Sequence, residues 1–169
     1  SNSFDYIIQL DNASDVHFQD LTFRALSTNY NTNVDIRNGS ENTTFNDCQF
    51  RAPYPSYDIL VKANVGNPDN LFLYDCNFHG GGYGVLYSHS STGDSVHVLR
   101  NTFYQQYYQS ISVTRASHVD VSDNHINGEA TVNSGFDGIH IYNCDHHLSI
   151  YNNTVFNINS GYGLNLQYN

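Results

Sequence analysis

The stretch Val96-His97-Val98-Leu99-Arg100-Asn101-Thr102-Phe103 carries the pattern that decides the fold. Val96 and Val98 are apolar and two residues apart, the spacing of side chains on one face of a β-strand, whereas a helix needs apolar residues three and four apart. Five residues after Val96 stands Asn101, and seven after it Phe103. The same offsets return in Val16/Phe18, Leu21, Phe23; in Thr43/Phe45, Cys48, Phe50; and in Leu71/Leu73, Cys76, Phe78. They return again in Val119/Val121, Asn124, Ile126 and in Leu148/Ile150, Asn153, Val155. Chance does not preserve two offsets through six copies.

Between these segments lies a second series of alternating pairs: Ile8/Leu10, Val34/Ile36, Ile59/Val61, Val85/Tyr87, Ile111/Val113, Ile139/Ile141 and Leu164/Leu166. Their first members are 26, 25, 26, 26, 28 and 25 residues apart. Three short strands per unit of roughly 25 residues, stacked unit on unit, predict an all-β parallel β-helix solenoid of about six coils. Each coil advances by one inter-strand spacing of about 4.8 Å, so the rod is on the order of 30 Å long. Asn101, Asn124 and Asn153 then form one internal column, each amide bonding its neighbours and the bent backbone. Cys48 and Cys76 occupy the same column earlier in the chain. Stacked backbones bring two cysteines within bridging range, but parallel side-chain directions oppose a bridge, and both are read as buried thiols. Cys144 belongs to another turn.

Composition agrees. The chain has 169 residues, room for a single domain over 1–169, with 14 Tyr and 10 Phe for a core and 23 Asn for turns. Six basic residues against sixteen acidic ones give a net charge of -10. No basic stripe is available for a nucleic-acid backbone, and no apolar run approaches the roughly 20 residues of a spanning helix. Nucleic-acid partners and membrane insertion are therefore excluded from the expectations. Ser1-Asn2-Ser3-Phe4 lacks the charged and apolar regions of a signal peptide.

The pairs followed by Arg100-Asn101-Thr102-Phe103 or Asn152-Asn153-Thr154-Val155 resemble the right-handed parallel β-helix repeat of pectate-lyase-like proteins. That likeness, not the repeat itself, implies right-handed winding. Asp5-Tyr6-Ile7-Ile8-Gln9-Leu10-Asp11 and Val16-His17-Phe18-Gln19-Asp20-Leu21-Thr22-Phe23 are similar to segments of large secreted surface proteins of Bacteroidetes that end in type IX secretion sorting domains. Val34 to Gly39 and Asn42 to Cys48 continue the likeness. It implies a secreted or cell-surface location. With no helical or charged cap visible, the chain is expected to be a segment of a longer solenoid, partnered by flanking coils of the same protein.

Several side chains are candidates for chemistry. Strict alternation points Gln9, Asp35, Leu60, Leu86, Ser112, His140 and Asn165 outward from the first strand, and Asp11, Arg37, Lys62 and Ser88 from the next outward position. Arg37 and Lys62 become neighbours on adjacent coils, with Asp35, Asp11 and Asp58 close by. A polysaccharide lyase needs a base and a charge to stabilise an enolate, so Asp35, Arg37 and Lys62 are the catalytic candidates. A surface ion network is the favoured alternative. Asp137-Gly138-Ile139-His140 looks like a stretch of polygalacturonases, but the remaining signatures of that family are missing and a structural role is preferred. Asp20, Asp47 and Asp75 stack before the internal column with Arg100 next in line. Arg100 and solvent are the expected neutralisers, with Ca²⁺ the alternative, since one column supplies few of the six to eight oxygens that ion takes. His146 and His147 point apart and are read as turn residues rather than zinc ligands.

Tyr6, Tyr57, Tyr83 and Tyr162 continue an inward register and predict a corner stack, whereas Tyr54, Tyr104, Tyr107 and Tyr108 fall in loops, free to bind a sugar ring or a protein. Leu60, Leu86, Phe72, Tyr74 and Leu99 point outward together, which predicts a covering loop or a contact surface. The expected function is a non-catalytic structural or adhesive β-helix segment presenting a glycan- or protein-binding face, with no required cofactor. The alternative is a carbohydrate-active β-helix, lyase or hydrolase, acting on acidic polysaccharide.

Overall fold

The computed structural model describes residues 6–26, 31–129 and 135–167, so Asp5 lies outside the described residues. The first coil holds β1 (Tyr6–Asp11), β2 (His17–Gln19) and β3 (Thr22–Arg24), and the second β4 (Thr32–Arg37), β5 (Glu41–Asn46) and β6 (Gln49–Arg51). The third holds β7 (Ile59–Val65), β8 (Asp69–Tyr74) and β9 (Asn77–His79). In the fourth, β10 (Tyr83–Leu99) precedes β11 (Thr102–Tyr104); in the fifth, β12 (Gln109–Ser122) precedes β13 (His125–Asn127). The sixth holds β14 (Phe136–Tyr142), β15 (His147–Tyr151) and β16 (Thr154–Phe156), and β17 (Gly161–Gln167) begins the next turn. Every paired strand is parallel to the equivalent strand one coil away, and the whole is an all-β solenoid of about six turns. Three strands per coil hold in four coils. In the fourth and fifth the first two strands run on as one through the corner, with a register shift between Ser88 and Gly93.

Rows of like side chains fill the interior because parallel in-register pairing puts each residue over its counterpart. Phe45, Leu73, Val98 and Val121 share the second row and are fully buried. The rings of Phe23, Phe50, Phe78 and Phe103 stack in the third row with centroids 5.1, 4.8 and 4.5 Å apart. Each such ring contributes about 1.5–3 kcal/mol from burial, before stacking adds to it.

The asparagine column is present as read. Asn124 donates to the Val98 carbonyl at 2.7 Å and to Asn153 Oδ1 at 2.9 Å, and its own oxygen accepts from the Asn101 backbone at 2.9 Å. Asn101 Oδ1 then accepts from the backbone N–H of Cys76 at 2.8 Å, and Cys76 Sγ from that of Cys48 at 3.4 Å. Sulfur thus continues the ladder that the amides begin, and all three cysteines are free thiols.

The turn residue beside this column explains the chain's richness in Asn and Asp. Asp20, Asp47, Asp75, Arg100, Asp123 and Asn152 all adopt left-handed φ between 52° and 57°. Among the described residues, 13 of the 17 non-glycine residues with positive φ are Asn or Asp. Short polar side chains tolerate this conformation because they bond locally.

Two readings of the first strand are corrected. Val34 lies over Val61, not Ile59, and Ile36 over Ala63, so the inward pair of the third coil is Val61/Ala63. Leu60, expected to point outward, is instead a fully buried core residue: its row neighbours Asn33 and Gly84 point inward, the Asn33 amide bonding the Phe23 carbonyl at 2.9 Å and a Cβ on Gly84 standing 2.8 Å from the Phe103 ring. The predicted tyrosine corner stack does not form. Tyr57 is 44% exposed and Tyr162 63%, and Tyr6 and Tyr83, though in one row, are separated in it by Thr32 and Ile59. At the other end, Leu164 and Leu166 keep the inward register of β14 yet remain about half exposed, since β17 has β14 on one side only.

Candidate functional site

The outward row of the first sheet reads Gln9, Asp35, Lys62, Leu86, Ser112, His140, Asn165. Shifting the third coil by two residues places Lys62 opposite Asp35, and Arg37 opposite Val65, so Arg37 and Lys62 are not register neighbours. Both still converge on Asp35. The Arg37 guanidinium donates to Asp35 Oδ2, and Lys62 Nζ lies 3.8 Å from Oδ1. The Asp35 carboxylate is nearly buried, and the Gln9 amide spans Arg37 and the Tyr6 hydroxyl, 2.9 Å from Arg37 Nε and 3.1 Å from the phenol oxygen. Burial, with the neighbouring Arg37 charge, pulls the Lys62 pKa down. Asp11 instead accepts from Asn38, and Asp58 is fully buried at the preceding corner, accepting from the Asn31 backbone. One buried carboxylate is thus tied up by two cations as an ion network.

Four coils along the same row lies a pair that the sequence reading set aside. Asp137 Oδ2 is 2.9 Å from His140 Nδ1 and 3.0 Å from the Asn165 amide, while Oδ1 accepts from the Tyr162 backbone at 3.3 Å. Asp137 is buried and therefore holds the ring by Nδ1, leaving Nε2 as the nitrogen that can exchange a proton. Gly138 carries the corner: a Cβ there would meet the Gly163 carbonyl at 2.7 Å.

The aspartate column is stacked as expected, and Arg100 neutralises its near end with two 2.8 Å bonds to Asp75. Among the described residues, no group of three or more His, Cys, Asp or Glu is arranged to hold a metal ion. His146 Nε2 approaches Asp145 at 3.8 Å, and His147 lies over His118 with ring centroids 6.2 Å apart. The outward apolar residues of the second sheet are half-buried by one another: Phe72 packs on His97 at 5.1 Å, and Arg100 lies over the Tyr74 ring at 5.9 Å.

The loop tyrosines divide. Tyr107 and Tyr108 meet Tyr57 and Tyr83 in one half-buried cluster, with centroid separations from 4.7 to 6.1 Å. Tyr54 is half-buried in its loop. Tyr104 is not in a loop: it ends β11 and faces outward on the third sheet, 5.1 Å from the His79 ring.

That placement exposes a face the sequence reading missed. The residue after each anchor of the third row forms a column of its own, Arg24, Arg51, His79, Tyr104, Asn127, Phe156. It was available by counting one position past Phe23, Phe50, Phe78 and Phe103. Two depressions of about 420 Å³ and 390 Å³ lie along it and share Arg51 and His79. Arg51 donates to Gln49 at 2.8 Å, and neither Arg24 nor Arg51 has a carboxylate partner among the described residues. Arg37, Lys62 and Arg100 do, and Arg115 donates to the His89 carbonyl at 3.3 Å.

No protein-family model, curated protein or solved structure matches the chain.

Proposed function

We propose that the chain is a non-catalytic structural and adhesive segment of a secreted or cell-surface protein, a rigid solenoid that presents ligand-binding side chains on its outer faces. The observation that carries this reading is the fate of the chemical candidates on the first sheet. The Asp35 carboxylate is buried and engaged by Arg37, with Lys62 facing it, which leaves no free base on this face to abstract a proton. The sequence likeness to pectate-lyase-like repeats supports right-handed winding, and that to the large Bacteroidetes surface proteins supports a type IX exported setting. The half-exposed inward residues Leu164 and Leu166 support stacking of further coils of the same protein on β17. Incubation with a panel of neutral and acidic polysaccharides, followed by mass spectrometry, tests the reading: intact polymers are expected, and shortened or unsaturated products would remove it.

One observation favours a second reading, a carbohydrate-active enzyme. Asp137 and His140 form a carboxylate-held imidazole on the outward row, suited to taking a proton at Nε2. That reading requires products that disappear in His140→Ala and persist in Arg37→Ala.

A further inference from the structure

We infer that the third-sheet groove formed by Arg24, Arg51, His79 and Tyr104 is a binding site for an anionic glycan, with carboxylate or sulfate groups on the two guanidiniums and a sugar ring against Tyr104. The inference rests on the display reading above and names the ligand class it would serve. Arg24 and Arg51 pair directly in register across β3 and β6, so two like charges stand about one strand spacing apart. Like charges directly opposite on neighbouring strands destabilise a sheet. Elsewhere Arg37, Lys62 and Arg100 each meet a carboxylate and Arg115 donates to the His89 carbonyl, whereas Arg24 and Arg51 are the two cations that face each other in register. A pair of unneutralised, exposed guanidiniums on a chain of net charge -10 is a local positive site that an external anion would complete.

The shape and chemistry of the groove choose the anion. Guanidinium forks match the planar oxygens of a carboxylate and the oxygens of a sulfate ester by paired N–H bonds. Tyr104, half-buried against His79, offers an aromatic ring with a polar tip, which suits a sugar's apolar face and its hydroxyls together. The two depressions share Arg51 and His79 and follow the rod from Leu26 to Tyr104, so the site accommodates an extended chain rather than a compact ligand. Nucleic acid fits less well. Two arginines neutralise only two phosphates, and the surrounding negative charge repels the rest of the polymer.

Isothermal titration with four probes tests this: an oligouronate, a sulfated galactan oligosaccharide, a neutral galactan oligosaccharide and a single-stranded oligodeoxynucleotide. One or both anionic sugars are expected to bind, the neutral sugar and the oligonucleotide not. Which anionic arm binds identifies carboxylate or sulfate as the recognised group. Arg24→Ala and Arg51→Ala are each expected to weaken binding about tenfold or more, the scale of a lost charge-assisted hydrogen bond. Tyr104→Ala is expected to weaken it as well, whereas Arg100→Ala, whose guanidinium is paired with Asp75 outside the groove, leaves it unchanged. Arg24 and Arg51 are exposed, and unchanged thermal melting of their variants shows that the fold survives. Absence of binding to both anionic sugars overturns the inference, as does binding indifferent to Arg24 and Arg51, or oligonucleotide binding through them. Cleavage of a sugar that binds through both arginines would remove the non-catalytic reading and leave the groove standing.

Discussion

Asn124 Oδ1 accepts two bonds from Asn101, one from its backbone N–H at 2.9 Å and one from its side-chain amide at 3.2 Å. Replacing Asn124 with Ala removes both, leaving the buried Asn101 backbone N–H without a partner and the Val98 carbonyl without the Asn124 amide, while the Asn101 amide keeps the Leu73 carbonyl at 3.0 Å. Each orphaned buried group costs about 1–3 kcal/mol, so urea unfolding of Asn124→Ala is expected to show a loss of about 3–5 kcal/mol. Asn124→Cys is expected to lose less, because the sulfur of Cys76 already serves as acceptor in this column.

Phe78 sits between two stacked rings, 4.8 Å from Phe50 and 4.5 Å from Phe103. Phe78→Ala opens a cavity in the middle of the stack and is expected to cost about 3–5 kcal/mol, whereas Phe78→Leu retains most of the burial. Thermal or urea unfolding of the two variants side by side measures the difference.

Asp58 is fully buried, its Oδ1 accepts from the Asn31 backbone at 2.7 Å, and its Oδ2 has no partner. Burial raises its pKa above the ordinary 3.8, against the lowering effect of the bonds from Asn31 and Ser56. The stability tied to the protonated form is therefore complete below pH 3.8 and lost as pH rises through the folded value. Asp58→Asn, neutral throughout, is expected to exceed the wild type in stability at pH 7. The advantage should close as pH falls below about 3.8, as urea midpoints at several pH values would record. An advantage that grows on acidification would contradict this account of the corner.

Burial raises all three thiols, Cys76 to about 12. Since the thiolate is the reacting species, an aromatic disulfide reagent at pH 8 is expected to titrate no cysteine in the folded protein and all three in urea.

The sequence made the second and third strand rows legible because each copy there keeps the same offsets and a strong turn marker. The first strand was harder. Ile59-Leu60-Val61-Lys62-Ala63 begins with three consecutive apolar residues, so a period of two fits both Ile59/Val61 and Val61/Ala63. Only pairing across coils, Asp35 with Lys62, decides between them. Leu60 looked exposed because strict alternation was carried into the corner, where two consecutive positions, Leu60 and Val61, both turn inward. His140 was discounted for want of companion motifs, yet its partner Asp137 comes from the corner three residues earlier, where Gly138 turns the chain and brings both side chains to one face. The arginine column was hidden by attention to charge totals, which dilute two cations among sixteen acids.

The stacking of successive turns in register is what every other statement depends on, and a distance along the rod measures it. Thr22 and Thr154 are exposed positions at opposite ends of one row, five strand spacings apart through Gln49, Asn77, Thr102 and His125. Spin labels at these two sites should give a single narrow distribution centred near ~24 Å between backbones, widened only by the label arms. A broad distribution, or a centre beyond about twice that length, would contradict the stack and everything placed on its faces.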